Sequence, residues 1–280
     1  MNTMISAAKR NRFLTVACFM SLLLFGSCEA TRNYHSGRIE PGFLKNKGEG
    51  NVSFGADMED NELGLNTNFT YAVTEHLAVQ GGLSFYNSKF YPNYTVYDEV
   101  GPVNEDIKPL TKGTRLKLGL GYYSNFGRRK TSYIEVMGGV NAGAESFSFY
   151  DNNFNTIRKW DYNPFSAHLQ FLVGKNFKNL SLAPGIRLTS IWYGQKVPLS
   201  DENYYYNNTN DISYVKEMLY VEPFYAMRFG PGPVKINFQV GFSISPFTND
   251  LFDVYFTPKL SLGIGYVFGR KDPVIDPDME

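Results

Sequence analysis

Val234-Lys235-Ile236-Asn237-Phe238-Gln239-Val240-Gly241-Phe242-Ser243-Ile244-Ser245 alternates without a break. Val234, Ile236, Phe238, Val240, Phe242 and Ile244 fall on one face of an extended chain. Lys235, Asn237, Gln239, Gly241, Ser243 and Ser245 fall on the other. A strict period of two is the signature of a strand with one apolar face. At about 3.3 Å per residue the segment approaches the length that a tilted strand needs to cross a membrane.

The pattern recurs along the chain. Val52 to Met58, Leu63 to Tyr71, Leu77 to Phe85, Leu116 to Tyr122, Ile134 to Val140, Phe165 to Val173, Leu180 to Trp192, Leu219 to Phe229 and Phe256 to Phe268 each alternate. Together with the first segment they predict about ten strands. Connections differ in length in a regular way. Glu59 to Asn61, Thr74-Glu75, Ser124 to Lys130, Asn176 to Asn179 and Gly230-Pro231-Gly232 are short. Asn87 to Gly113, Ser146 to Asp161 and Gly194 to Ser213 are long, and Pro246 to Asp253 is intermediate. Beyond the first hairpin every second connection is long, the layout of a transmembrane barrel with short turns at one rim and long loops at the other.

A soluble lipocalin-like barrel also alternates, with its apolar face inward and a charged exterior. Here the polar face carries Lys117, Glu135, His168, Gln170, Arg187, Glu222, Arg228, Lys235, Gln239 and Lys259 among many Gly, Ser and Asn, while the apolar face carries almost no charge. That composition suits a crowded lumen and a lipid-facing exterior. Aromatics make up 16% of the chain, with 23 Phe and 20 Tyr. They gather near segment ends, as in the interfacial girdles of membrane barrels, although β-propensity alone also enriches them.

Composition excludes other classes. The 27 basic and 27 acidic residues balance, which leaves no electrostatic footprint for nucleic acid. Mean hydropathy is −0.29, and no apolar run reaches the roughly 18 residues of a spanning helix.

Ser261-Leu262-Gly263-Ile264-Gly265-Tyr266-Val267-Phe268 resembles the β-signal that closes bacterial outer-membrane proteins. The resemblance implies that Gly263, Tyr266 and Phe268 are read by the barrel-assembly machinery. The family usually ends at the final aromatic, whereas here a charged, Pro-broken tail, 269–280, follows. At the level of architecture the resemblance spans Gly50 to Phe268. With its Asn/Tyr-rich loops the chain resembles barrels of Bacteroidota.

The N-terminus reads as an address. Lys9, Arg10 and Arg12 precede an apolar run from Phe13 to Phe25, followed by Gly26-Ser27-Cys28. The run is too short to span a bilayer and fits a signal peptide. Leu24-Phe25-Gly26-Ser27-Cys28 resembles a lipobox, which implies acylation of Cys28. Phe25 departs from the usual aliphatic residue, and cleavage after Ala30 is the alternative. Both cysteines, Cys18 and Cys28, belong to this region, so no disulfide or cysteine metal site is expected in the barrel. Without residues 1–27 the chain holds 24 basic and 27 acidic residues, a net of −3.

Candidate chemistry is sparse. Of the three histidines, His35 precedes the barrel and His76 borders a short turn. His168 faces the lumen, as a hydrogen-bonded filler or as the base of a hydrolase. No nucleotide loop, metal motif or nucleophile elbow is present. Glu135 and Glu222 are available to Lys117, Arg187, Arg228, Lys235 and Lys259, a basic surplus that fits either a paired, plugged lumen or a narrow anion-favouring pore. Tyr94, Tyr97 and the Tyr204-Tyr205-Tyr206 tip offer amphipathic area for a protein or a glycan, or for packing of the loops on one another.

These features predict a signal peptide (1–27), a periplasmic linker (28–49), an all-β transmembrane antiparallel up-and-down barrel (50–268) and a periplasmic tail (269–280), resident in the outer membrane. They predict a structural or interaction role rather than an enzyme, with no cofactor or metal. A narrow solute pore and an outer-membrane hydrolase are the alternatives. Candidate lumen-binding residues are Glu135, His168, Arg187, Glu222, Arg228 and Lys235. Expected partners are outer-membrane lipids, the assembly machinery, and other envelope proteins or surface glycans.

Overall fold

The computed structural model describes residues 39, 41–59, 62–88, 94–98, 101–127, 131–150, 156–177, 179–198, 214–245 and 255–269. Twelve strands and no helix occur among them: β1 (Gly50–Glu59), β2 (Glu62–Ala72), β3 (Leu77–Ser88), β4 (Tyr94–Asp98), β5 (Gly101–Phe126), β6 (Ser132–Tyr150), β7 (Thr156–Tyr162), β8 (Phe165–Asn176), β9 (Leu180–Pro198), β10 (Tyr214–Phe229), β11 (Val234–Ser245) and β12 (Tyr255–Phe268). Ten of them form a closed antiparallel wall in chain order. β12 pairs with β1 from Gly50↔Phe268 to Glu59↔Lys259, so no edge is left.

An even strand number brings the start of β1 and the end of β12 to one rim. The connections at that rim are tight. Gly230-Pro231-Gly232-Pro233 joins β10 to β11, and the turn requires glycine because Gly230 has φ 134° and Gly232 φ 64°. At the opposite rim the wall is taller than the sequence suggests. The stretches 87–113 and 146–161, expected to be loops, are largely strand. β5 and β6 pair continuously from Lys108↔Tyr150 to Phe126↔Ser132. β4 adds to the upper part of β5, and β7 adds to the upper part of β6, above the point where β8 takes over the same edge. Their polar residues obscure the alternation, and the pairing is supplied by the neighbouring ladder.

The polarity is that of a membrane wall. Leu120 is 68% and Ile264 63% exposed, and Val52, Phe54, Leu65, Leu118, Leu169, Leu188, Ile236 and Leu262 also point outward. Inward positions hold buried Asn66, Asn68, Gln80, Gln170, Arg187, Glu222, Asn237 and Gln239. Only lipid makes such an exterior favourable. Aromatic contacts mark its borders: Tyr71 stacks on Phe268 (6.3 Å) at the terminal rim, and Phe165 stacks on Trp192 (5.8 Å) toward the far rim. The described wall is that of a transmembrane β-barrel.

Candidate functional site

The lumen holds three groupings, which follow one another along the strands. In the middle, Glu222 on β10 is fully buried and accepts hydrogen bonds through both carboxylate oxygens. Arg187 Nε (2.5 Å) and Thr189 Oγ1 (2.6 Å) donate to its Oε2. A second Arg187 nitrogen (3.0 Å), Ser243 Oγ (3.0 Å) and Lys259 Nζ donate to Oε1. Lys259 also lies 3.2 Å from Glu59. The register explains the convergence, since Glu222 faces Arg187 across β9–β10 and Glu59 faces Lys259 across the β1–β12 closure. Two cations and two hydroxyls satisfy this carboxylate out of water.

Toward the far rim Arg115 on β5 donates to Glu145 on β6 through Nε (2.6 Å) and a terminal nitrogen, and to the Tyr86 hydroxyl at 3.1 Å. Its guanidinium also lies over the Tyr86 ring. Tyr162 and Tyr193 meet edge to face at 5.6 Å beside this pair, and Tyr220 is buried on the same inward face of β10.

Toward the terminal rim the occupant is the chain itself. Ile39, Pro41, Gly42, Phe43 and Leu44, within the stretch expected to be a linker, are buried within the wall. Gly42 N–H donates to Glu135 Oε2 (2.8 Å) and Leu44 N–H to Oε1 (3.4 Å). Arg228 donates to the carbonyls of Gly42 (3.5 Å) and Phe43 (3.1 Å), with its guanidinium 4.3 Å above the Phe43 ring. Asn125 reaches the Lys45 carbonyl at 3.0 Å.

The candidate residues therefore separate. Arg187 and Glu222 come together as one ion pair, and Glu135 and Arg228 meet on the N-terminal segment. Lys235 donates to the Gly230 carbonyl of the β10–β11 turn. His168 is buried with Nε2 3.2 Å from Gln80 Nε2, a neutral amide rather than a carboxylate or hydroxyl. The expected basic surplus shrinks: among the described wall residues Asp57, Glu59, Glu135, Glu145 and Glu222 face inward beside Arg115, Lys117, Arg187, Arg228, Lys235 and Lys259. Arg115 and Glu145 escaped notice because they border segments read as loop, yet both keep the inward parity of their strands.

Tyr94 and Tyr97 lie on β4, opposite Ile107 and Pro102. Tyr204, Tyr205, Tyr206 and Cys28 fall outside the described residues. Gly263 faces inward on the closing strand, Tyr266 faces lipid and Phe268 packs on Tyr71. No group of three or more metal-ligating side chains occurs among the described residues. A cavity of about 520 Å³ opens where β3 ends, lined by Phe85, Asn87, Lys112, Ser146, Asp161 and Asn163 among others.

No protein-family model and no curated protein matches this chain. Similar solved structures are bacterial outer-membrane barrels. The attachment invasion locus protein Ail of Yersinia pestis is 13% identical, with 79% of this chain and 99% of that one covered and a TM-score of 0.33. The outer membrane protease OmpT of Escherichia coli is 9% identical, covering 80% and 94%, TM-score 0.43. A major outer membrane protein of Thermus thermophilus is 16% identical, covering 80% and 100%, TM-score 0.40. The closed strand pairing and the apolar exterior, rather than these likenesses, carry the membrane assignment.

Proposed function

We propose that the protein serves the outer membrane as a filled barrel that presents the strands and connections of its far rim as an interaction surface. The observation that carries this reading is the pairing inside the lumen. Arg187, whose freedom a pore for anions would need, is held by Glu222, and Lys235 is taken up by a turn carbonyl. Barrels of about this strand number have interiors that side chains nearly fill, in contrast to the 16 to 18 strands of general porins.

The projecting sheet supports the other half of the reading. β4, the upper parts of β5 and β6, and β7 form four neighbouring strands beyond the apolar band. Their exposed outward residues there turn polar, with Lys112, Lys159 and Asp161 replacing the leucines below. A projecting sheet carrying the Tyr94/Tyr97 strand suits contact with a protein or glycan, to which Tyr204, Tyr205 and Tyr206 would add. The Leu24–Cys28 stretch supports a lipid anchor on the periplasmic side, and the Gly263, Tyr266 and Phe268 pattern supports recognition by the assembly machinery.

Planar-bilayer recording of the purified protein tests the filled lumen. No stepwise conductance is expected, and steps that disappear on Arg187→Ala and Lys235→Ala would establish the pore instead. Replacing Tyr204, Tyr205 and Tyr206 by Ser is expected to keep the heat-modifiable folded band while weakening binding to immobilised surface glycans or to intact cells. Unchanged binding argues against the loop role. A surface hydrolase activity abolished by His168→Ala, with folding intact, turns the assignment to an enzyme.

A further inference from the structure

Between a polar middle and the terminal rim, the inward face of the wall turns apolar. Leu172, Phe224, Ala183 and Ala226 point inward around Tyr133, and Ala72, Ala78 and Met137 do so around Tyr123. Nothing in the wall requires these apolar groups there, since lipid lies on the other face. Each set receives a side chain from the segment before β1. Phe43 and Ile39 enter the first, where Phe43 meets Tyr133 edge-on at 5.9 Å, and Leu44 enters the second.

The segment is no part of the sheet. Its backbone is satisfied by wall side chains: Glu135 takes the N–H groups of Gly42 and Leu44, Arg228 takes the carbonyls of Gly42 and Phe43, and Asn125 takes the carbonyl of Lys45. A carboxylate for N–H groups, a guanidinium for carbonyls and separate apolar pockets for successive side chains are the means by which proteins bind peptides. Phe43 has φ 51°, which turns the backbone so that residues 43 and 44 enter different pockets. At Gly42 a Cβ would lie 3.1 Å from Leu44 Cγ, 3.1 Å from Thr70 Cγ2 and 3.3 Å from Glu135 Oε1, so an alanine there would have to push these side chains aside.

We propose that the terminal-rim mouth of the lumen is a peptide-binding site, filled in cis by Gly42-Phe43-Leu44, that recognises a glycine followed by an aromatic and an aliphatic residue. The tether 45–49 keeps the local concentration of the cis segment high, so an outside peptide competes poorly until the segment is weakened. In the outer-membrane orientation the mouth opens to the periplasm, the side from which such a peptide would enter. The inference goes beyond the surface role proposed above and does not depend on it.

The test uses the full chain in detergent and a fluorescein-labelled Glu-Pro-Gly-Phe-Leu-Lys peptide, followed by anisotropy. A Phe43→Ala/Leu44→Ala variant is expected to bind the peptide at least tenfold more tightly than the native chain, whose site is filled. Adding Arg228→Ala, or changing the peptide glycine to alanine, is expected to weaken that binding at least tenfold. Equal affinity of the native and vacated proteins, or indifference to Arg228→Ala or to the glycine, overturns the proposal. If the double variant loses its heat-modifiable band, Leu44→Ala alone empties one pocket. Binding at least threefold tighter than native is then expected, and equality with the native chain overturns the proposal.

Discussion

Near the rim where β1 begins and β12 ends, Phe43 and Leu44 sit in apolar pockets against Leu172, Phe224 and Met137, whereas midway along the same strands Glu222 is gripped by Arg187, Lys259, Thr189 and Ser243. One lumen is thus filled in two ways. In the middle the wall satisfies itself, because antiparallel register sets acid opposite base on adjacent strands, Glu222 with Arg187 and Glu59 with Lys259. At the terminal end the wall is complete only with a piece of chain that belongs to no strand. The difference teaches that alternation fixes which side a residue faces, while the occupant of the lumen depends on what is brought there from elsewhere in the sequence.

The largest expected effect comes from the self-satisfied region. Glu222→Ala leaves Arg187 and Lys259 close together without their shared counter-ion, and breaking a buried pair in this way costs about 3–5 kcal/mol. A clear fall in the urea midpoint of the lipid-refolded barrel checks it; an unchanged midpoint breaks the contrast between the two regions. The outside of the wall comes next. Ile264→Arg, on the lipid face of the closing strand, is expected to destabilise by about 2–4 kcal/mol, and Val234→Arg, at the first residue of β11 near the terminal rim, by no more than about 1 kcal/mol. Equal effects at the two positions in the same unfolding measurement would remove the apolar band from the account.

In the terminal pocket Leu172→Ala is expected to fall near the lower end of the about 2–5 kcal/mol typical of such truncations, because a segment tethered at one end can settle into the space. A midpoint shift as large as that of Glu222→Ala would mean that the segment is as fixed as the wall. The smallest effect belongs to the exposed pair Lys159–Asp161 on β7, 2.7 Å apart with about half or more of each side chain in solvent. Lys159→Ala is expected to change stability by less than about 1 kcal/mol, and less still in high salt.

Much of the wall was legible because a transmembrane strand is a local pattern. Val234 to Ile244, Leu63 to Tyr71 and Leu180 to Trp192 each announce an inside and an outside, and the inward set Glu135, His168, Arg187, Glu222, Arg228 and Lys235 follows from parity. The upper β5–β6 hairpin was not legible. Lys108, Thr111, Lys112, Ser146 and Ser148 lie beyond the apolar band, where both faces of a strand tolerate polar residues and the alternation fades. Those residues are held in strands by pairing with each other over a long ladder, a contact between positions far apart in sequence. The Pro41–Leu44 stretch carries no repeat at all, and its meaning lies in Glu135 and Arg228, far from it in the chain.

The amino-acid order by itself determined the ten strands of the closed wall, its greasy outside, its largely polar middle and the closing strand, since each is a property of neighbours two residues apart. Only the tertiary structure decided which charges neutralise one another and what occupies the terminal end of the lumen. Those outcomes depend on register around a closed sheet and on a tethered segment reaching its pockets, and distance along the chain carries no record of either.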